Sequence, residues 1–132
     1  MNFSLLKNHY SVIKLAPQES IPAHLMQSDE LFSVSYTEEE CSIVCNSNIT
    51  FDDHIVVDKE DGWCCLKIEG MLDFALTGIL ANIATTLANH DISIFALSTF
   101  NTDYILIKEE NLEKAITVLT EAGHHVINGT AR

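Results

Sequence analysis

From residue 63 to residue 128 the spacing of apolar side chains switches between the two-residue period of a strand and the three-to-four-residue period of a helix, and the order of those switches leaves few folds open. Trp63-Cys64-Cys65-Leu66-Lys67-Ile68-Glu69 is a strand-like run that stops at Gly70. Leu76, Ile79, Leu80, Ile83 and Leu87 then form one helical stripe, with Asp73 placed to cap its start. Asn89-His90-Asp91 ends that pattern. Residues 92–98 form a second strand, Thr99-Phe100-Asn101-Thr102 a polar turn and residues 103–108 a third strand, so these two strands close a hairpin. The next helix carries Leu112, Ala115, Ile116, Leu119 and Ala122 on its apolar face. Glu109, Glu110 and Glu113 favour its positive end and Gly123 its C-terminal stop. Residues 124–128 complete the series as a short strand. Right-handed crossovers assemble this order into a four-stranded antiparallel sheet with both helices on one face, an α+β, ferredoxin-like βαββαβ arrangement.

The N-terminal half starts the same way in weaker form: residues 9–15 as a strand, a Pro-flanked turn or short helix at residues 22–26, and residues 32–36 and 41–45 as a hairpin. Residues 32–44 overlay residues 95–107 without gaps, setting Phe32 on Phe95, Ser35 on Ser98, Glu40 on Asp103 and Ile43 on Leu106. No second helix is legible before residue 60, so residues 1–61 read as a truncated βαββ half-repeat ending in an acidic connector, and residues 62–132 as the complete domain. The connector, residues 46–62, holds Asp52, Asp53, Asp58, Glu60 and Asp61, with Ile55-Val56-Val57 able to add a short strand. A half-repeat with an open sheet edge completes itself within the chain or across a dimer.

Charge narrows the partners: 19 acidic against 7 basic residues give a net charge of −12, which repels nucleic-acid phosphates and anionic lipid. Apolar runs are only a few residues long against the roughly 20 that span a bilayer, and residues 1–10 lack a signal-peptide core, so a soluble, cytoplasmic protein is expected. Cys64 and Cys65 are neighbours on a strand and point to opposite faces, while Cys41 and Cys45 lack the spacing and second ligand pair of a zinc site. Free thiols are expected, and no metal or cofactor. There is no Gly-x-Ser-x-Gly elbow, no phosphate-cradling glycine loop, and no acid–base pair that the separate histidines complete, so the chain does not read as an enzyme.

Two loops carry chemistry. Glu69-Gly70-Met71-Leu72-Asp73-Phe74 joins the strand to the long helix, where glycine permits close backbone approach and helix N–H groups can take a carboxylate. Ser98-Thr99-Phe100-Asn101-Thr102-Asp103-Tyr104 crowds hydroxyls, an amide and a carboxylate onto one hairpin tip. In the predicted fold both loops lie at one end of the sheet, and together they complement a zwitterionic amino acid, with Asp73 or Asp103 for its cationic group.

Over residues 63–81 and 92–106, through these two loops, the sequence resembles the ACT-domain family, in particular small tandem-ACT proteins related to aspartate kinase regulatory domains and to cytosolic arginine sensors. The resemblance is looser over the N-terminal half. It implies a regulatory, non-catalytic domain that holds an amino acid at an interface between ACT units, acts as a homodimer, and controls an enzyme on a separate chain. It places ligand contacts at Gly70, Met71, Leu72, Asp73 and Phe74, at Thr77, Gly78 and Ile79 one turn on, and at Ser98, Thr99 and Asp103 of the hairpin. Met71 departs from the proline usual there. An adaptor of the same fold, acting through protein contacts without a ligand, is the alternative.

Overall fold

In chain order the elements are β1 (Asn2–Leu15), β2 (Ser33–Tyr36), β3 (Cys41–Asn46), β4 (Val56–Ile68), α1 (Ile79–Ala88), β5 (Ile94–Ser98), β6 (Asp103–Lys108), α2 (Leu112–Glu121) and β7 (His125–Asn128). Short 3-10 turns occur at Ala23–Met26, Asp53–Ile55 and Glu109–Asn111. The computed structural model describes residues 1–26, 30–69 and 78–128. The chain divides into one unit of Met1–Lys7 with Cys64–Arg132 and another of Asn8–Trp63. Residues 1–7, grouped from the sequence with the N-terminal subdomain, thus cluster with the C-terminal part of the chain.

In the unit that holds both helices the strand order is β1-β4-β6-β5, and β7 pairs with β1 in parallel, Asn2 opposite His125 and Leu5 opposite Asn128. Four antiparallel strands are expected from the sequence; the structure adds the start of β1, which lies between β7 and β4. Phe3 and Leu5 alternate there with Asn2 and Ser4, but the alternation is brief and nothing local marks it as a strand. Leu66 and Ile68 of β4, Ile105 and Ile107 of β6 and Phe3 of β1 share one face by the two-residue period. Against that face pack Ile83 and Leu87 of α1 and Ala115, Val118 and Leu119 of α2. Ile83 and Leu87 of the first predicted stripe and Ala115 and Leu119 of the second are buried as their spacing predicts, each fully buried Leu or Ile contributing about 1.5–3 kcal/mol. Ala122, expected on the second stripe, is exposed just past the end of α2, and Val118 is buried in addition. Asp73 and Leu76, expected at the start of the first helix, lie outside the described residues; the described helix begins after Gly78, whose φ of 80° suits glycine.

The unit of residues 8–63 orders its strands β2-β3-β1-β4 around Ile13, Leu15, Cys41, Ile43, Cys45 and Phe51. No α-helix is described there. Ile21, Leu25 and Ile55, from the 3-10 turns and their flanks, cover the core instead. Two tyrosines pin this cover: Tyr36 donates its hydroxyl to the Glu19 carbonyl at 3.1 Å, and buried Tyr10 donates to Glu30 Oε1 at 3.2 Å while accepting from the Leu31 N–H. The second part of the acidic segment read as a connector is strand, since β4 runs from Val56 through Asp58, Glu60 and Asp61. Its side chains are exposed there, so no apolar alternation advertises the strand.

The two hairpins correct the internal overlay. Tyr36 pairs with Cys41 and Ser98 with Asp103, each pair closing a four-residue loop, so Thr37 corresponds to Thr99 and Ile43 to Ile105. The gapless overlay is off by one residue, which in a strand exchanges the two faces. In the corrected register the buried trio Ile43, Val44 and Cys45 falls on the buried trio Ile105, Leu106 and Ile107.

Candidate functional site

The β5–β6 hairpin brings together the hydroxyl and carboxylate that the sequence singles out. Ser98 and Asp103 are cross-strand partners at the neck of the loop, and Ser98 Oγ donates to Asp103 Oδ1 at 2.5 Å. Asp103 is half-buried, and its second carboxylate oxygen takes no part in that bond. The loop is closed from inside. Thr99 N–H and Oγ1 both donate to the Thr102 carbonyl, at 2.8 and 3.2 Å, and Thr102 N–H donates back to Thr99 Oγ1 at 3.4 Å. Phe100 stands 79% exposed at the tip of this clamp.

Thr102 also reaches outward. It is 5% exposed, and its Oγ1 donates to the Ile68 carbonyl at 2.7 Å, joining the hairpin to the end of β4. Glu69 N–H donates to the Asn2 carbonyl at 2.8 Å just beyond. Residue 70 follows, so the hairpin is tied to the strand from which the chain enters the other predicted loop. Gly70, Met71, Leu72, Asp73, Phe74 and Thr77 themselves lie outside the described residues.

Gly78 and Ile79 are described, and they line a cavity of about 230 Å³ with Met1, Asn82, Ile83 and His124. None of these lining residues comes from the hairpin. His124 sits edge-on to the Phe3 ring, centroids 5.5 Å apart, and burial lowers its pKa, so its imidazole favours the neutral form. Of the predicted ligand contacts that are described, Ser98, Thr99 and Asp103 share the hairpin, and Gly78 and Ile79 line the cavity beside His124.

The sequence pattern places Thr102 in the polar turn but does not reveal that it is buried. Its burial depends on β4 lying beside the hairpin, a long-range pairing that no local period records. The four cysteines are free and buried, as expected, with Cys45 pushed up to about 11 by burial. Among the described residues no group of three or more His, Cys, Asp or Glu is arranged to hold a metal, and no helix is long and apolar enough to cross a membrane.

A family model described as an ACT domain matches residues 58–121, and a second, described as an N-terminal domain, matches residues 8–52. The chain is 36% identical over 93 residues to the human protein "Cytosolic arginine sensor for mTORC1 subunit 1", a match that takes in 67% of this chain and 28% of the human one. The chain therefore corresponds to little more than a quarter of that relative's length. Among solved structures, protein Atu0741 from Agrobacterium tumefaciens superposes with a TM-score of 0.85 at 32% identity, over 96% of this chain and 92% of that one. The regulatory subunit of aspartate kinase from Thermus thermophilus superposes with a TM-score of 0.65 at 12% identity, over 93% of this chain and 98% of that one, a likeness of fold.

Proposed function

The chain belongs to the ACT-domain family, and from that premise we propose that it is a regulatory, non-catalytic protein whose second hairpin receives a free amino acid. The observation that carries the reading is the Ser98–Asp103 pair: a carboxylate fixed by its own serine, on a loop held shut by Thr99 and Thr102, meets an incoming cation without first having to be ordered. The strand-to-helix loop, with Gly70, Met71, Leu72, Asp73, Phe74 and Thr77, supplies the other side of the site and N–H donors for the ligand carboxylate. Gly78 and Ile79 shape the entry to that side.

A cationic amino acid is the best fit, because the fixed side-chain charge is negative and the 36% identical relative is named an arginine sensor. The ligand bridges two ACT units in a cytoplasmic homodimer and so biases an equilibrium that a separate enzyme or other protein reads. Affinity falls in the micromolar to millimolar range, about −4 to −8 kcal/mol.

A thermal-shift screen of the purified protein against the twenty amino acids tests this. Stabilisation by one cationic amino acid, lost in Asp103→Ala, supports the site. A flat screen on folded protein rules out the ligand and leaves an adaptor that works through protein contacts.

A further inference from the structure

We propose that two copies of this chain pair through β5, antiparallel about a two-fold axis at Ala96, so that Phe100 of each copy fills a groove on the other. The inference rests on the reading above for its homodimer and adds the surface on which the two copies meet. Among the described residues β5 ends the order β1-β4-β6-β5. Thr99 N–H donates inward to the Thr102 carbonyl, and Ser98 and Asp103 are the next pair along. By the alternation of an antiparallel ladder, the peptide groups of Ile94, Ala96 and Ser98 therefore point away from β6 and form a row of donors and acceptors along the edge. Proteins blunt such edges with charge, proline or brevity. β2, at the other end of the strand order, has four residues and runs into Glu38-Glu39-Glu40. From Ile92 to Thr102 there is no charge and no proline, in a chain of net charge −12.

Register identifies the occupant of this edge as a second copy. A two-fold axis at Ala96 sets Ile94 opposite Ser98 of the second copy and Phe95 opposite its Leu97, so each outward peptide group meets another outward one. The same count carried two residues past Ser98 brings Phe100 to Ile92 of the second copy and Asn101 to its Asp91, so that carboxylate meets an amide and no second carboxylate. Asp91 and Ile92 line a groove of about 510 Å³ with Ala84 and Ala88 of α1 and with Ser93 and Ile94. The two alanines leave room there. Phe100, 79% exposed, is the most exposed large apolar side chain among the described residues, and it stands on a tip that the Thr99 and Thr102 bonds hold closed. Ring and groove lie at opposite ends of one strand, the placement that a two-fold axis converts into two equal insertions. Such an interface is closed: both β5 edges are consumed and none is left for a third copy.

Sedimentation velocity over a range of protein concentrations gives the dimer dissociation constant of wild type and of Phe100→Ala, a change at an exposed tip whose fold is checked by circular dichroism. The expected result is a wild-type dimer and a dissociation constant roughly a hundredfold weaker in Phe100→Ala, since each dimer loses two buried rings. Ala96→Cys tests the axis separately. Facing residues of a bonded antiparallel pair have Cα atoms about 5.5 Å apart, within reach of a disulfide, so mild oxidation should link two copies. Ala122→Cys, exposed past the end of α2, should not link, and the four native thiols are buried. A dimer unchanged by Phe100→Ala, or an Ala96→Cys protein that links no faster than Ala122→Cys, overturns this interface and leaves the homodimer to another surface. A wild type that stays monomeric overturns the interface and the homodimer together. Calorimetric titration of the same wild-type sample with L-arginine decides the ligand reading independently of either result.

Discussion

The two hairpins share a backbone device and differ in what it presents. Thr37 and Thr99 close their four-residue loops with matching bonds, and the strands behind both loops bury their residues in step. At the neck, Ser98 and Asp103 of the second hairpin are replaced in the first by Tyr36 and Cys41. Burial raises the Cys41 thiol above its ordinary pKa, so it offers no anion where Asp103 offers a carboxylate. The tips differ as well, Glu38-Glu39-Glu40 against Phe100-Asn101-Thr102. A loop's shape is thus set by one threonine and its length, while its chemistry is free to diverge. The same scaffold serves as a structural turn in one unit and as a candidate binding loop in the other.

The largest effects test the shared scaffold. Ile43→Ala and Ile105→Ala remove corresponding side chains, each 0% exposed, and each is expected to cost about 2–5 kcal/mol in urea unfolding. Ile105 belongs at the upper end because it packs between a sheet and two helices that limit collapse of the cavity. Equal and small losses would show that the two cores are not the closed clusters described.

The next effect separates the hairpins by function. On the proposed reading, arginine at 100 times its Kd is expected to stabilise the wild-type protein by about 2.7 kcal/mol. In a thermal-shift assay Asp103→Ala loses this shift, whereas Cys41→Ala, at the corresponding neck position, retains it.

Of the two hairpins only the first carries buried thiols, since Cys41 and Cys45 correspond to Asp103 and Ile107 in the second. Burial raises the Cys45 pKa from 9.0 to about 11, so the folded state holds its proton where the unfolded state has lost it. Its contribution is fully present below pH 9.0 and is lost as pH rises toward 11. Between those values wild type should lose about 2 kcal/mol more than Cys45→Ala in chemical unfolding. Equal slopes for the two proteins would place the thiol in water. The smallest difference tests the clamps: Thr37→Val and Thr99→Val each remove a loop hydroxyl, and each is expected to lower stability by about 1 kcal/mol. Only Thr99→Val should also weaken arginine binding.

The legible part of the site was its chemistry. Ser98, Thr99 and Asp103 stood out because polar side chains crowd a turn between two apolar runs, and the structure joins them at one hairpin. Thr102 sits in the same turn but is distinguished only by burial, which comes from β4, thirty-odd residues away in the chain. Gly78 and Ile79, drawn into the site by family resemblance, line the cavity beside His124.

The sequence by itself determined the order of elements from residue 63 onward, most of the apolar face of each described helix, the two hairpins and the acidic character of the surface, because each depends on residues a few positions apart. The tertiary structure decided the rest. It set the start of β1 beside β7, carried β4 through an exposed acidic stretch, shifted the hairpin overlay by one residue and buried Thr102 against Ile68. Each of these is a choice of neighbour. A strand's period states which face it buries, but its backbone donors and acceptors are alike along its length, so only packing against the whole sheet selects the partner and the register.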